Sequence, residues 1–218
     1  MRILVCGINY APDLIGIAKY NTELCEALAG FGHDVRVVTA PPYYPEWKIP
    51  PEHRSWIYRS ERRAGVAIKR APIYVPSQPS GRKRLVHHAS FALTSAFPVI
   101  FQALRWRPQL MLSVAPSLMS SAAVAMAARR AGAVSWLHLQ DLEVDAAFGL
   151  GLLRDGRLRK SMLAIERRAV LRSRIEHCAA NDATAGAQGG GGASAARIEK
   201  LGRHRRHRAP DPKNELPR

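Results

Sequence analysis

Asp13, Gly16 and Lys19 fall within one stretch, "GINYAPDLIGIAKYN", between an apolar run and a segment of helical periodicity. In open α/β sheets the loop that follows a strand's C-terminal end is where ligands bind. A glycine at the following helix N-terminus lets the backbone approach a ligand. The free N–H groups and the helix dipole there favour an anion, and Lys19 adds a cation one turn in. A lone glycine equally serves a tight turn, and a lone lysine a solvated surface. A second group lies further on, where "AVSWLHLQD" ends: His138 is followed by Gln140, Asp141, Glu143 and Asp145. A histidine and acids at a strand end suit contact with a polar ligand, or simply a satisfied histidine and a solvated helix start. Two carboxylates flanking a bond would suit glycoside hydrolysis, but spacing along the chain does not fix the distance between them.

Other phosphate-binding signatures are missing. Only Gly7 precedes the eight non-glycine residues before Gly16, so the dinucleotide fingerprint G-x-G-x-x-G is absent, and no G-x-x-x-x-G-K-[ST] loop occurs.

The elements that must position these groups alternate. "RILVCGI" is a β-rich run without polar alternation, as in a parallel strand covered on both faces. Residues 17–31 place Tyr20, Leu24, Ala27, Leu28 and Phe31 on one helical face, and Gly32 stops the helix. "HDVRVVTA" is a second strand, followed by the proline- and aromatic-rich loop "PPYYPEWKIPPEH". "GVAIKRAPIYVP", "PQLMLSVA" and "AVSWLHLQD" read as further strands, with helices over residues 82–106, about 117–131 and "GRLRKSMLAIERRAVLRS". The expected fold is α/β, a Rossmann-like doubly wound parallel sheet.

With 218 residues and 47% hydrophobic content the chain can bury a core. Its 33 lysines and arginines against 17 acids give a formal charge of +16, which favours anionic partners. Cys6, Cys25 and Cys178 are too few and too far apart for a disulfide framework or a zinc site, and Cys6 in a strand and Cys25 in a helix read as buried small residues in a reducing cytosol. The start of the chain reads as a strand and not as a signal peptide. "ASFALTSAFPVIFQAL" falls short of the roughly 20 apolar residues a membrane span needs and contains Pro98. It reads as a helix packed on the sheet, or as an interfacial helix with Arg82, Lys83 and Arg84 against acidic lipid. His87 and His88 read as surface residues. Helix-turn-helix and aromatic-interleaved basic strands are absent, so nucleic acid is not an expected partner.

The stretches "NYAPDLIGIAKY", "GHDVRVVTAPPYYPEW", "IYVPSQPSGRKRLVHHASFA" and "LHLQDLEVDAAFGLG" succeed one another at the ends of successive elements. In these motifs residues 1–175 resemble the N-terminal half of the family-four, GT-B-type glycosyltransferases, of the WcaI type in colanic acid biosynthesis. The resemblance implies two Rossmann-like domains facing a cleft, this one holding the acceptor. It implies a retaining hexosyl transfer from a nucleotide-sugar, GDP- or UDP-linked, used as substrate, with neither metal nor other cofactor. Gly16 and Ile17 would lie against the donor diphosphate, while Tyr10, Asp13, Lys19, Tyr43 and Tyr44 would line the acceptor side. His138, Asp141 and Glu143 would serve the donor sugar as catalytic residues, and the leaving phosphate would help deprotonate the acceptor. The implied acceptor is a polyprenyl-diphosphate-linked glycan, which places the protein in the cytoplasm, peripheral to the inner face of the cytoplasmic membrane.

Two features depart from that family. Two Rossmann-like domains need roughly 350 to 400 residues, so the donor domain with its paired glutamates has no counterpart here. Residues 176–218 drop hydrophobic periodicity for alanine, glycine, arginine, histidine and proline, a composition expected of a disordered basic tail. Those are also the residues that GC-rich DNA encodes out of frame. "RIEKL" at 197–201 fits the family's continuation, and so does one back-translation of the residues after Leu201, shifted by a base. The expectation is a frameshifted, inactive N-terminal fragment. The alternative is a non-catalytic basic module that binds membrane lipid or glycan.

Overall fold

The computed structural model describes residues 1–13, 16–54, 56–115, 118–139 and 174–177. Strand β1 (Arg2–Gly7) leads to helix α1 (Ile17–Gly30) and strand β2 (Asp34–Thr39). A short 3-10 turn, Pro51–His53, precedes β3 (Arg59–Arg63) and β4 (Val66–Arg70). Then come α2 (Gly81–Arg105), β5 (Leu110–Val114), α3 (Leu118–Ala131), β6 (Val134–Leu139) and β7 (Arg174–His177). The strands form one sheet in the order β3-β4-β2-β1-β5-β6-β7. All neighbours pair in parallel except β3 with β4.

The uninterrupted apolar run of β1 has its explanation in two separate core layers. Ile3 and Val5 pack with Leu24, Cys25 and Leu28 of α1 on one face of the sheet. Leu4 and Cys6 pack on the other with Phe91 and Val99 of α2 and Val124 and Ala128 of α3. Successive side chains of a strand point to opposite faces, so a strand covered on both sides has no polar position to spare. The expected α/β, Rossmann-like sheet is the observed one. Its last strand, β7, runs across the expected domain boundary at residue 175. The expected helix after residue 151 and the basic tail lie outside the described residues.

Three expectations need correcting. Nothing in the sequence pattern marks β3, because its five residues, "RSERR", are all exposed and mostly charged. That composition is what protects an unpaired sheet edge from pairing with another chain. On α1, Tyr20 and Phe31 do not join Leu24 and Leu28 but stand exposed. Asn21 and Thr22 take the buried positions, because their side chains hold the loop that follows β1. His87, expected at the surface, is fully buried. Its Nδ1 lies 2.6 Å from the Tyr74 carbonyl, and its ring packs edge-on against Tyr43 at 4.6 Å. Burial lowers the pKa of His87, and it lowers that of His88 to about 4.

Candidate active site at the carboxyl edge of the sheet

The loop after β1 is built from below by α1. Thr22 accepts a hydrogen bond from the Ala11 N–H at 3.0 Å and donates to the Ala18 carbonyl at 2.7 Å. The Asn21 amide donates to the Asn9 carbonyl at 3.1 Å. Helix and strand end approach so closely that a Cβ on Gly7 would sit 3.2 Å from Asn21 Nδ2 and 3.3 Å from Val114 Cβ.

From the side, the same loop is fastened by Arg70, at the end of β4. Its guanidinium donates to the carbonyls of Ala11, at 2.5 Å, and Ala40, at 2.8 Å. It also forms a two-nitrogen contact with Glu61 of β3, at 2.6 and 2.9 Å. One buried side chain thus ties together the loop after β1, the end of β2 and the edge strand. Sequence reading passed over it. The available signal was an arginine in register with Val66 and Ile68, on the inward face of an alternating strand.

Gly16 caps α1 at φ +60° and ψ −131°, a conformation side chains with a Cβ rarely adopt. A Cβ there would meet nothing within 4 Å, so the need for glycine is conformational and not steric. The turn leaves Gly16 exposed at the helix N-terminus, where backbone N–H groups face outward. Ile17 is half-buried on the first core layer. Lys19 is exposed and pairs loosely with Glu23, at 3.9 Å.

Asp13 is partly buried beside the loop after β2. Its Oδ2 accepts from the Tyr43 N–H at 3.5 Å. Burial raises its pKa from an ordinary 3.8 to about 6, opposed by the N–H groups of Tyr43 and Tyr44 and by the Arg70 charge. A carboxyl of this kind titrates close to neutral pH and is able to exchange a proton with a hydroxyl.

This shift has a consequence for stability. The folded state binds the Asp13 proton below about pH 6 and the unfolded chain only below 3.8, so this group costs stability as pH rises through 6. Asp13→Asn removes that cost. Urea unfolding is expected to show a gain of about 1 to 2 kcal/mol at pH 7.5, less than the full shift would give because solvent screens this partly exposed carboxyl, and the gain should disappear near pH 4; an equal gain at both would contradict it.

Two of the tyrosines are corrected by the structure. Tyr10 does not line an open surface: it is 1% exposed, its ring is in the core layer under α1, and burial pushes its phenol pKa up. Tyr43 is 5% exposed, its ring clustered with those of Trp47 and His87, and it meets Asp13 through its backbone N–H. Both rings are large apolar bodies at places where the sheet needed filling, and that decided their placement. Tyr44 is exposed.

His138 is buried near the end of β6, level with Val114 of β5, which is level with Gly7 of β1. Its carbonyl accepts from the Ala115 N–H at 3.0 Å. The histidine and the Asp13–Gly16 loop therefore occupy the same carboxyl edge of the sheet, separated by β5. Asp141 and Glu143 lie outside the described residues. Arg82, Lys83 and Arg84 are exposed in the first turn of α2, and Arg84 lies over the Trp47 ring at 5.3 Å.

Comparison with known proteins decides the family. The glycosyl transferase 4-like domain matches residues 16–209 of the chain. The chain belongs to the glycosyl transferase 4-like family. It is 48% identical over 157 residues to the putative colanic acid biosynthesis glycosyl transferase WcaI of Escherichia coli (strain K12). That match takes in 72% of this chain and 38% of the E. coli protein, so the chain spans well under two thirds of the length of this relative. Among solved structures, a Streptomyces sp. SF2575 glycosyltransferase, SsfS6, complexed with thymidine diphosphate, is 19% identical with a TM-score of 0.38. That likeness covers 64% of this chain and 38% of that one. The resemblance to this glycosyltransferase family read from the motifs is thereby confirmed, and the family match takes in most of the described Rossmann-like sheet.

Proposed function

We propose that this glycosyltransferase chain forms the acceptor side of a transfer site that moves a hexose from a nucleotide-sugar to a polyprenyl-diphosphate-linked glycan. The pathway would be an exopolysaccharide route of the colanic acid type. The observation that carries this reading is the convergence on one carboxyl edge of a glycine-capped helix N-terminus, a partly buried carboxyl at Asp13, and His138. The Gly16 turn presents N–H groups to the donor diphosphate. Asp13 orients an acceptor hydroxyl, and His138 steadies charge at the sugar carbon as the diphosphate leaves. Tyr44, Lys19 and Ile17 border the same loop. The donor, GDP- or UDP-linked, would be gripped chiefly by sequence corresponding to the remainder of the E. coli relative. Work on a lipid-linked acceptor would place the protein in the cytoplasm, against the inner face of the cytoplasmic membrane. No described helix is long and apolar enough to cross a membrane, which is compatible with a peripheral attachment.

The test is sugar transfer measured with radiolabelled nucleotide-sugars and membrane extract as acceptor. The 218-residue chain alone is expected to show no transfer. A version extended to the relative's full length is expected to transfer, and His138→Ala in it to lower the rate about 100-fold or more. Full activity in His138→Ala would remove that residue from the site.

A further inference from the structure

Helix α2 has an outward face that no described residue covers along its length. Leu93, Phe97, Ile100, Phe101 and Leu104 recur at the spacing of one helical stripe, and all are exposed, Leu93 at 78%. Beside them stand Trp56, 91% exposed, and Ile57. This segment is held there by Tyr58, whose hydroxyl donates to the Thr94 carbonyl at 2.8 Å and whose ring lies 6.0 Å from that of Phe97. Contiguous apolar surface of this kind marks an interaction site.

Its setting is basic. The 25 residues of α2 contain no aspartate or glutamate, and carry Arg82, Lys83 and Arg84 at one end and Arg105 at the other. Between the stripe and the edge strands runs a groove of about 660 Å³, with Phe97 and Phe101 on one wall and Arg36, Arg62 and Lys69 among its lining. Glu61, the acid that also lines it, has its carboxylate on Arg70. Asp34, at the foot of α2, accepts from the Trp106 indole. The carboxylates of the groove and of the foot of α2 are therefore already engaged, while Glu52, four residues before Trp56, is exposed.

We infer that this face of α2 lies on an anionic phospholipid bilayer, with the groove between Phe97 and Lys69 taking a lipid headgroup phosphate. The inference rests on the membrane-peripheral part of the proposed function and gives it a location other than the first turn of α2 alone. An exposed tryptophan beside an aliphatic stripe, with cations outnumbering acids around it, has the amphipathic chemistry of the bilayer interface. Arginine and lysine stems cover apolar surface while their heads reach phosphate, and Arg62 and Lys69 are placed to do so next to the two phenylalanines. A soluble acidic protein would match the charge but would not need Trp56 and Leu93 presented outward together.

The experiment uses the whole 218-residue chain, flotation with vesicles of phosphatidylcholine alone or with about one third phosphatidylglycerol, and brominated lipid to quench tryptophan. Trp56→Phe supplies the background from the other tryptophans. Expected are binding that needs phosphatidylglycerol and quenching that is lost in Trp56→Phe. Phe97→Ser with Phe101→Ser is expected to abolish quenching and weaken binding about tenfold or more. Arg62→Gln with Lys69→Gln is expected to weaken it on the order of 20-fold. These are exposed or half-exposed positions, and an unchanged circular dichroism spectrum and melting midpoint would show that each pair still folds. Binding without Trp56 quenching, equal in parent and both variants, would overturn the inference and assign attachment to the arginine-rich residues 203–208. Self-association abolished by Phe97→Ser, with no vesicle binding, would overturn it in favour of a second copy. Neither readout involves sugar transfer, so failure of the transferase reading leaves this test intact, and the reverse.

Discussion

Arg70→Met is expected to lower the unfolding free energy by about 3 to 5 kcal/mol, the range for breaking a buried, hydrogen-bonded ion pair from one side. The reason is the number of groups that depend on one guanidinium. The side chain is 3% exposed in its ion pair with Glu61 and also satisfies the carbonyls of Ala11 and Ala40. Removing it leaves two buried carbonyls short of a donor, at about 1 to 3 kcal/mol each before relaxation. Methionine fills much of the volume, so packing loss adds little. Glu61 is 38% exposed and reaches water, so Glu61→Gln is expected to cost no more than about 1 kcal/mol. Arg70→Lys retains charge but cannot fork to three partners, and should fall between the two. Urea unfolding midpoints of the three variants check the order. A loss below about 1 kcal/mol for Arg70→Met would show that the loop after β1 is held by Thr22 and Asn21 without it.

The functional counterpart is Gly16→Val in the chain extended to the length of its E. coli relative. At φ +60° and ψ −131° the backbone is in a region left almost wholly to glycine, and a β-branched residue is the least suited to it. The strain alone is expected to cost about 1 to 3 kcal/mol if the turn is kept. If the turn relaxes instead, the first N–H groups of α1 would swing away from the position proposed for the donor diphosphate. Misplacement of about 1 Å in such a positioning element reduces turnover on the order of 100-fold. Because a Cβ at Gly16 meets nothing within 4 Å, the variant should still fold, which separates lost function from lost structure. Transfer rates and melting midpoints measured on the same preparation decide it. Transfer within about twofold of the parent would remove Gly16 from the donor site.

Much of the architecture was legible before any coordinates. The runs "ILVC", "VRVV" and "LMLSV" show little or no polar alternation, which a strand buried on both faces tolerates. Helical segments between them force parallel pairing through crossovers. Gly16 announced itself by standing where a strand hands over to a helix. The motif order also carried the family, because motifs at strand ends are the part of this architecture that touches ligand.

What the chain could not reveal from local pattern was everything set by contacts between distant residues. The edge strand β3 has the composition of a loop and becomes a strand only because β4 offers it hydrogen bonds. Tyr10, Tyr43 and His87 look like exposed polar aromatics in the sequence. Their burial depends on what arrives from Trp47, Tyr74 and the far side of the sheet. Arg70 reaches Ala11 across 59 residues of chain. Periodicity determines which face of an element is apolar, since that is a property of one strand or helix. Which groups then meet at the carboxyl edge, and which aromatic stripe is left outside on α2, is decided by the order of strands in the sheet, which no single element encodes.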